Sequence, residues 1–500
     1  MRLPLLAIPV WLCATSLASA ANLSGAKLAA VAKVAALAPE VTRVETQIWS
    51  YAEVGMRETR SAALLQATLE QAGFSVQRGV AELPTAFVAT YGSGEPVIGI
   101  LAEYDALPGV GNVAAPERRP RPDGEQNGHG CGHNLLGTAS VAAAIALREV
   151  MIERHIKGTI KVFGTPDEEE DIGKLYMAKA HVFDGIDAAI EWHPEVFTGT
   201  TNETALALNN FQIEFFGHAA HASEEPEKGR SALHALELTT VGINLFREQI
   251  LPTARVHYFV ANGGVAPNII PDYTRLVLNV RDVSREGVEA LYHRVLLIAQ
   301  GASLAMGVDY KVTLFSALHP LVLNRPLQEA MQRNLQALGP VPFAADDQAY
   351  GRALQRAAGI AETGYDGRVQ PLASVPVYDG GSTDVAEVSW IAPTVGLKAT
   401  TAPAAIPWHS WVATAAHGAP SATPGTLYAA KAIALMAVDL LENADLRARA
   451  KEAFLSATAG KPYSPGIPSE QHPPLERTAR ARGQVIPVTV APWYSRAQRM

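Results

Sequence analysis

Two short segments of the sequence carry side chains that are well suited to bind metal ions. In residues 129–134 (HGCGHN), Cys131 and His133 are separated by one glycine. Thiolate and imidazole ligands suit zinc and similar ions, and glycines let the backbone turn so that the two side chains converge. In residues 164–170 (GTPDEEE), carboxylates follow an apolar stretch. In a metal site, one such carboxylate can bind the ion while its neighbour acts as general base.

Two further histidines follow apolar stretches downstream. His193 lies in EWHP and His409 in WHSW, with His417 close enough to compete for the same role. Each signal is weak alone, because histidines often pack in protein interiors and acidic runs are often solvated loops. Together the residues provide enough ligands for a two-metal site with an open position for water. The five candidate ligands are Cys131, His133, Glu169, His193 and His409.

The candidate ligands can lie close together only if strands that end at the same edge of a sheet position them. Residues 97–102, 159–163 and 188–192 are short apolar runs, and a polar cluster follows each of them. Residues 97–102 are apolar enough for a buried central strand, which delivers Glu103 and Asp105 at its end. Such strands alternate with helical patterns, which predicts an α/β fold with a mostly parallel sheet. Open sheets of this kind bind ligands beyond the carboxyl ends of their strands.

The pattern changes between residues 204 and 316, where the predicted order is β-α-β-β-α-β. This is the ferredoxin-like order, and we expect a small domain inserted into a larger one. The larger, catalytic domain then comprises residues 21–203 and 317–459. Residues 460–500 contain proline and arginine without periodicity, so we expect an extended or loosely ordered tail.

Composition and charge exclude several classes of protein. The chain has 500 residues, of which 48% are hydrophobic and 18% charged, and its formal net charge is −8. These values are ordinary for a globular chain of several domains and exclude a collagen or a largely disordered protein. No basic face is evident, so neither a nucleic-acid partner nor an anionic membrane is expected.

The first twenty residues have the pattern of a secretory signal peptide. Arg2 is the only charge, an apolar run covers residues 3–17, and Ala18-Ser19-Ala20 is a suitable cleavage site. Export would place the protein in the periplasm or outside the cell. Cleavage would remove Cys13 and leave Cys131 as the one cysteine, so no internal disulfide can form. No later stretch is expected to span a bilayer, so no membrane anchor should remain after cleavage.

Several motifs occur together in an order that resembles a known group of enzymes. The likeness is to the metal-dependent aminoacylase/carboxypeptidase superfamily, in the amidohydrolase branch with a cysteine in its metal loop, and it runs from about residue 40 to 450. It implies a catalytic α/β domain with an inserted ferredoxin-like lid that forms a homodimer, and two divalent ions, Zn or Mn, per subunit. The motifs are EYDALPG (103–109), NGHGCGHNLLGTA (127–139), GTPDEE (164–169), EWHPE (191–195), GHAAHAS (217–223) and GSTDVAEVSW (381–390).

The resemblance also implies roles for individual residues. Cys131 matches the ligand that bridges the two ions, Glu168 matches the general base, and Asp105 matches the acidic residue that orients a ligand. His221 matches a lid histidine that reaches the active site of the partner subunit and can hydrogen-bond the developing oxyanion, with Asn268 assisting on the same lid face. The remaining implied ligands are His133, Glu169, His193 and His409.

The implied reaction is hydrolysis of an amide bond. The expected substrates are N-acyl or N-aroyl amino acids, or dipeptide-like amides with a free carboxylate. Two alternatives remain open from the residues themselves. Cys131 could be the nucleophile of a metal-free amidase with a neighbouring histidine as its base, or the chain could be a non-catalytic periplasmic binding protein. The presence of Glu168 argues against the second alternative, because this residue serves catalysis rather than metal binding.

Overall fold

The computed structural model describes residues 23–475, so the predicted signal peptide and the last part of the tail lie outside the described residues. Helices open the described chain and cover most of residues 25–72. The helices are α1 (Gly25–Ala36), α2 (Ala38–Tyr51), α3 (Thr59–Gln71), α4 (His133–Arg154), α5 (Gly173–Lys179), α6 (Ala232–Phe246), α7 (Arg285–Met306), α8 (Arg325–Leu338), α9 (Ala345–Ala357), α10 (Val385–Ser389), α11 (Trp411–His417), α12 (Thr423–Glu442) and α13 (Ala444–Ala457).

The strands of the described chain form two separate sheets, one of seven strands and one of four. Their bounds are β1 (Ser75–Arg78), β2 (Phe87–Ser93), β3 (Val97–Ala102), β4 (Gly158–Gly164), β5 (Ala188–Glu195), β6 (Gly199–Thr200), β7 (Ala207–Phe216), β8 (Arg255–Asn262), β9 (Tyr273–Asp282), β10 (Asp309–Leu318) and β11 (Thr394–Thr400).

The larger sheet has the order β1-β2-β4-β3-β5-β11-β6. The four strands β4, β3, β5 and β11 are parallel, and β3 is the central strand, as expected. The expectation of a mostly parallel sheet is wrong for the outer strands, whose three pairs are antiparallel. The short connection between β1 and β2 explains one of these pairs, because parallel neighbours need a crossover of a dozen or more residues.

The smaller sheet has the order β10-β7-β9-β8, and all of its pairs are antiparallel. With α6 and α7, its elements follow one another as β-α-β-β-α-β. Buried and half-buried residues alternate along β9, so one face of the sheet packs on the helices while the other is open. We call residues 207–318 the small-sheet unit. The chain enters this unit after β6 and leaves it at His319.

Within residues 23–475, two helices have the length and composition of a membrane span, namely α4 and the segment Pro420–Glu442 that includes α12. The expectation that no later stretch is long enough to span a bilayer is therefore wrong on these two measures. In both helices, however, 78% of the apolar window is buried inside the protein. The two helices pack on each other and on the larger sheet, where their apolar residues form its main core.

Candidate metal centre

Three neighbouring strands of the larger sheet bring polar side chains to one edge. Glu103 and Asp105 follow β3, Glu168 and Glu169 follow β4, and His193 lies in the second half of β5. Because β4, β3 and β5 are adjacent and parallel, these side chains meet at the same end of the sheet. The predicted position of the site beyond the carboxyl ends of the strands therefore agrees with the structure.

The loop before α4 turns at Gly132, which has a left-handed φ of 85°. A Cβ atom at this glycine would lie 3.0 Å from the side chain of Pro194, so a larger residue would fit poorly. The turn places Cys131 and His133 on the same side, and α4 starts at His133. His409 joins this loop from the other end of the chain, since its backbone N–H donates to the carbonyl oxygen of Gly130 at 3.2 Å.

The candidate ligands converge in three overlapping groups, and in each group the ligand atoms lie within 4.8 Å of one another. All five predicted ligands belong to these groups. Cys131 is shared by the two groups that together contain the five, which is the arrangement expected of a ligand between two ions. The groups are Cys131, His133 and His193; Cys131, Glu169 and His409; and Glu103, His133 and Glu168.

The atoms in this cluster have the spacing and the unmet bonding of a cation site. Cys131 Sγ lies 3.3 Å from His193 Nε2, and Glu169 Oε2 lies 3.4 Å from His409 Nε2. Three buried atoms have no hydrogen-bond partner among the described residues: Glu169 Oε1, Glu103 Oε2 and His133 Nε2, of which the last two lie 3.3 Å from each other. Buried polar atoms without partners are costly, and bound cations would satisfy all three. The residues present therefore fit a pair of metal ions.

The charge balance of the cluster also favours cations. Five carboxylates lie together, three of them buried and two slightly exposed, whereas the cationic side chains among them are one lysine and histidines. Burial raises the pKa of Glu169 to about 8; His133 opposes this shift, and the carboxylates of Asp105 and Glu103 add to it. Like charges at this density are unfavourable without compensating cations. The carboxylates are Glu103, Asp105, Glu168, Glu169 and Asp384.

Asp105 lies behind the ligands and orients two of them. Its Oδ1 is 2.8 Å from His133 Nδ1, and its Oδ2 accepts the backbone N–H of Glu169 at 3.0 Å. Burial alone would raise the pKa of Asp105, but the neighbouring His133 outweighs it and the pKa is lowered. A hydrogen bond at Nδ1 leaves Nε2 of His133 facing the cluster, which is how carboxylates commonly orient metal-binding histidines.

Glu168 lies beside the ligands without belonging to either group that contains Cys131. Its Oε1 accepts a hydrogen bond from the Thr383 hydroxyl at 2.9 Å, and its Oε2 lies 3.9 Å from His133 Nε2. Burial raises the pKa of Glu168 well above its usual range, and the carboxylates of Glu103 and Asp384 raise it further. One oxygen is thus held by Thr383 while the other faces the cluster.

A buried lysine was missed by the sequence analysis. Lys174 on α5 is fully buried, and its Nζ lies 2.7 Å from Glu103 Oε1 and 2.6 Å from Asp384 Oδ1. Burial opposes its charge, but the two carboxylates outweigh this effect and raise the pKa of Lys174. The one signal in the sequence was a single lysine within the otherwise uncharged run 172–178. Thr383 gave no signal apart from its place in the GSTD motif.

His417 and His129 do not join the cluster. His417 Nδ1 lies 3.0 Å from the carbonyl oxygen of His129, and His129 Nε2 lies 3.1 Å from the carbonyl oxygen of Ile48. Both imidazoles are buried, and burial lowers the pKa of His129 to about 3 and that of His417 to about 4. They link the metal loop to α2, and His409 is the histidine of this region that meets the other ligands.

His221 and Asn268 lie on the small-sheet unit and are exposed. Their segments are neighbours, because the backbone N–H of Ala222 donates to the carbonyl oxygen of Asn268 at 3.0 Å. His221 Nδ1 accepts the backbone N–H of Glu224 at 3.1 Å. None of these contacts reaches the ligand cluster, so a single chain does not bring His221 or Asn268 together with the other predicted site residues.

A cleft of about 1640 Å³ leads to the cluster, and Glu169 is part of its wall. The open face of the smaller sheet forms the opposite wall, with Phe259, Val277, Arg275 and Lys311 among its side chains. The cleft therefore offers both apolar and cationic surface next to the candidate metal ligands.

Comparisons with known proteins identify the group to which this chain belongs. The profile of peptidase family M20/M25/M40 matches residues 99–368. The chain is 35% identical over 458 residues to one of the subunits of the p-aminobenzoyl-glutamate hydrolase of Escherichia coli (strain K12), covering 86% of this chain and 95% of that protein. It is 30% identical over 444 residues to the Xaa-Arg dipeptidase of Mus musculus, covering 85% and 90%.

A solved structure shares the fold. It is a dinuclear metal-binding peptidase of the M20 family from Bacillus subtilis, with a TM-score of 0.53 and 18% identity, and the match covers 81% of this chain and 99% of that one. These findings confirm the resemblance drawn from the motifs. The chain belongs to the peptidase family M20/M25/M40 and is a hydrolase of that family.

Proposed function

We propose that this protein uses two metal ions to hydrolyse the amide bond of N-acyl or N-aroyl amino acids, or of dipeptide-like amides with a free carboxylate. The observation that carries the proposal is the sharing of Cys131 between two ligand groups, with Glu168 beside them. The substrate named for the Escherichia coli relative makes p-aminobenzoyl-glutamate one candidate.

In this proposal, Cys131 is the bridging ligand. His133 and His193 complete one group, and Glu169 and His409 complete the other. Zinc and manganese both accept such ligands. When bound, two divalent ions would lower the pKa of water from about 15.7 to about 7 and polarise the scissile carbonyl.

Side chains of the protein would then accept and donate the proton during hydrolysis. Thr383 fixes Oε1 of Glu168, so Oε2 is the oxygen that accepts the proton of the attacking water. The same carboxyl group would later donate this proton to the leaving amine. Asp105 keeps His133 in its orientation, and Lys174 offsets the charge of Glu103 and Asp384 behind the site.

A hydrolysis screen with mass-spectrometric detection tests this function. The protein would be reconstituted with Zn or Mn and given a panel of acyl and aroyl amino acids, including p-aminobenzoyl-glutamate. We expect cleavage at the amide bond, loss of activity on dialysis against EDTA, and recovery when metal returns. Activity that survives EDTA but is lost on thiol alkylation would instead support Cys131 as nucleophile. A panel without any cleavage would support the binding-protein alternative.

We also propose that the protein forms a homodimer through the small-sheet unit. Leu238, Val241 and Leu245 form an exposed apolar stripe on α6, with 42%, 53% and 66% of each residue accessible. Beside this helix lies β8, an edge strand that can pair with another chain. The Escherichia coli relative is itself named as one subunit of an enzyme, which supports an oligomeric assembly.

Such a dimer gives His221 a role in the site of the partner subunit. We expect His221→Ala to lower kcat by roughly 10²–10³-fold, because loss of one donor to the oxyanion typically costs about 2.7–4 kcal/mol. Metal content and folding should remain unchanged, since His221 contacts none of the candidate metal ligands. The measurement is steady-state kinetics together with elemental analysis.

Mixing two inactive variants tests whether His221 acts across the interface. His221→Ala and Glu168→Ala chains would be combined and allowed to exchange between dimers. If His221 acts in the partner subunit, each heterodimer has one site with both groups, and activity reappears. Absence of recovery despite proven exchange would show that His221 acts in its own chain or has no catalytic role.

Export of the protein is also proposed, on the charge pattern and cleavage site of residues 1–20. We expect protein recovered from a periplasmic or secreted fraction to begin near residue 21. Intact-mass analysis of that fraction checks this prediction, and a full-length chain that starts at Met1 and stays in the cytoplasm would contradict it.

A further inference from the structure

Residues 461–475 follow α13 without forming a helix or a strand, and we call this segment the strap. It first contacts the point where the chain leaves the small-sheet unit. The Tyr463 hydroxyl donates to Glu387 Oε2 at 2.5 Å. Glu387 is fully buried and also accepts the backbone N–H of His319, the residue directly after β10, at 2.7 Å. The beginning of the strap is therefore tied to the junction between the two sheets.

The middle of the strap is packed between the small-sheet unit and the helices of the larger sheet. Ile467 is only 4% exposed and shares an apolar cluster with Ala317 of β10 and Leu175 of α5. Gly466 lies so close to β10 that an added Cβ would be 2.7 Å from the carbonyl oxygen of Ala317. A glycine is needed for so close an approach, which shows that the strap is fitted to this strand.

Gln471 connects the strap to both sides. Its side-chain Nε2 donates to the Tyr176 hydroxyl on α5 at 2.7 Å and to the carbonyl oxygen of Leu314 on β10 at 2.9 Å. Its backbone carbonyl accepts a hydrogen bond from Lys179 Nζ. The Gln471 side chain thus hydrogen-bonds both α5 and β10. These bonds fix the position of the residues that follow relative to the two elements.

Those following residues form part of the cleft wall. Pro473, Pro474 and Leu475 line the cleft that leads to Glu169. Proline has a fixed φ and no N–H group, so two consecutive prolines present a stiff apolar surface. Leu475 packs against the apolar cluster that contains Ile172.

The charges around the cleft indicate which part of a substrate fits this wall. Asp167 and Glu170 lie in the loop that precedes Ile172 and line the cleft too. Their carboxylates would repel the free carboxylate of a substrate. Arg275 and Lys311, on the open face of the smaller sheet, offer it opposite charge. Arg60 also lines the cleft, but its guanidinium is paired with Glu53 at 3.0 Å. An uncharged acyl or aryl group is the part that suits the strap.

We infer that the strap is a specificity-determining part of the active-site cleft, in which Pro473, Pro474 and Leu475 contact the acyl or aryl group of the substrate and Gln471 holds them in place. This inference rests on the proposed function, because it concerns the substrates of the same site. It gives the end of the described chain a role in selecting the acyl group.

The test compares substrates that differ only in the acyl group. The N-acetyl, N-benzoyl and N-naphthoyl derivatives of one amino acid would be given to wild type, Leu475→Ala and Gln471→Ala, each loaded with metal. We expect the ratio of kcat/KM for naphthoyl over acetyl to rise about tenfold in Leu475→Ala, since small changes in an apolar wall shift selectivity by this order. Gln471→Ala should shift the ratio as well, because the side-chain hydrogen bonds that hold the strap against α5 and β10 are lost. Metal content and circular dichroism verify that each variant is intact.

Ser469→Ala is the matched control, because this exposed strap residue donates only to the neighbouring Glu470 among the described residues. Its ratio should equal that of wild type. Ratios within twofold of wild type in an intact Leu475→Ala protein would overturn the inference, and this variant decides the question if Gln471→Ala does not fold. A wild-type enzyme that hydrolyses neither this series nor any member of the broader screening panel would instead overturn the proposed function, and the inference with it.

Discussion

Glu168→Ala is expected to abolish turnover while leaving the metal content intact. General bases typically contribute 10²–10⁴-fold to rate, and the loss should exceed this range if Glu168 also returns the proton to the leaving amine. The metal should stay, because Glu168 belongs to neither ligand group that contains Cys131. The measurements are kcat with the best substrate of the screen and, from elemental analysis, the number of ions in each protein chain.

Glu170→Ala provides the matched control for this variant. Glu170 is an exposed carboxylate two positions along the same loop, and it belongs to none of the candidate ligand groups. Its removal should leave the metal content unchanged and kcat within a few-fold of wild type. Any effect should be on KM, because Glu170 lines the cleft but belongs to none of the ligand groups. Retention of more than a tenth of the wild-type kcat in Glu168→Ala would remove Glu168 from the role of general base.

Cys131→Ser is expected to lose metal and, as a result, activity. A serine hydroxyl is a much poorer anionic ligand than a thiolate, and the loss affects two ions at once because Cys131 belongs to both groups. Elemental analysis after gel filtration should show fewer than two ions per chain. The distinction from Glu168→Ala is direct, since one variant loses metal and the other keeps it.

His193→Ala serves as the comparison for the bridging role. His193 belongs to only one of the two groups that contain Cys131. Its loss should therefore weaken the binding of one ion more than the binding of the other. Circular dichroism would verify that both variants fold. Two tightly held ions per chain in Cys131→Ser would contradict the bridging assignment.

Most of the fold was predictable because its elements have strong periodic patterns. The strand at 97–102 was placed to the residue, and the six elements of the small-sheet unit follow one another in the predicted β-α-β-β-α-β order. The antiparallel edges were missed because strand direction at an edge depends on connection lengths and neighbours rather than on the pattern of one strand. The length and apolar composition of α4 match those of a membrane span, and only its packing shows that the protein interior surrounds it.

The site was predictable where side chains follow strand ends. All five expected ligands converge, and Asp105 lies behind His133. Lys174 was missed because burial of a lysine depends on partners that are 71 and 210 positions away along the chain, namely Glu103 and Asp384. Residues 460–500, which include the strap, were expected to form an extended or loosely ordered tail. The contacts of Gln471 depend on tertiary structure alone and leave no periodic signal in the sequence.

The position of β11 in the larger sheet has a consequence for the order of events during biosynthesis. This strand lies between β5 and β6, although the whole small-sheet unit separates it from them along the chain. Until residue 400 has been synthesised, β5 has an unpaired edge, and His409 has not yet joined Cys131 and Glu169. A nascent chain therefore holds an incomplete set of ligands and an exposed strand edge, which is a site for wrong pairing. Metal would be acquired late, after the segment that contains β11 and His409 has packed against the strands and ligands that precede the small-sheet unit.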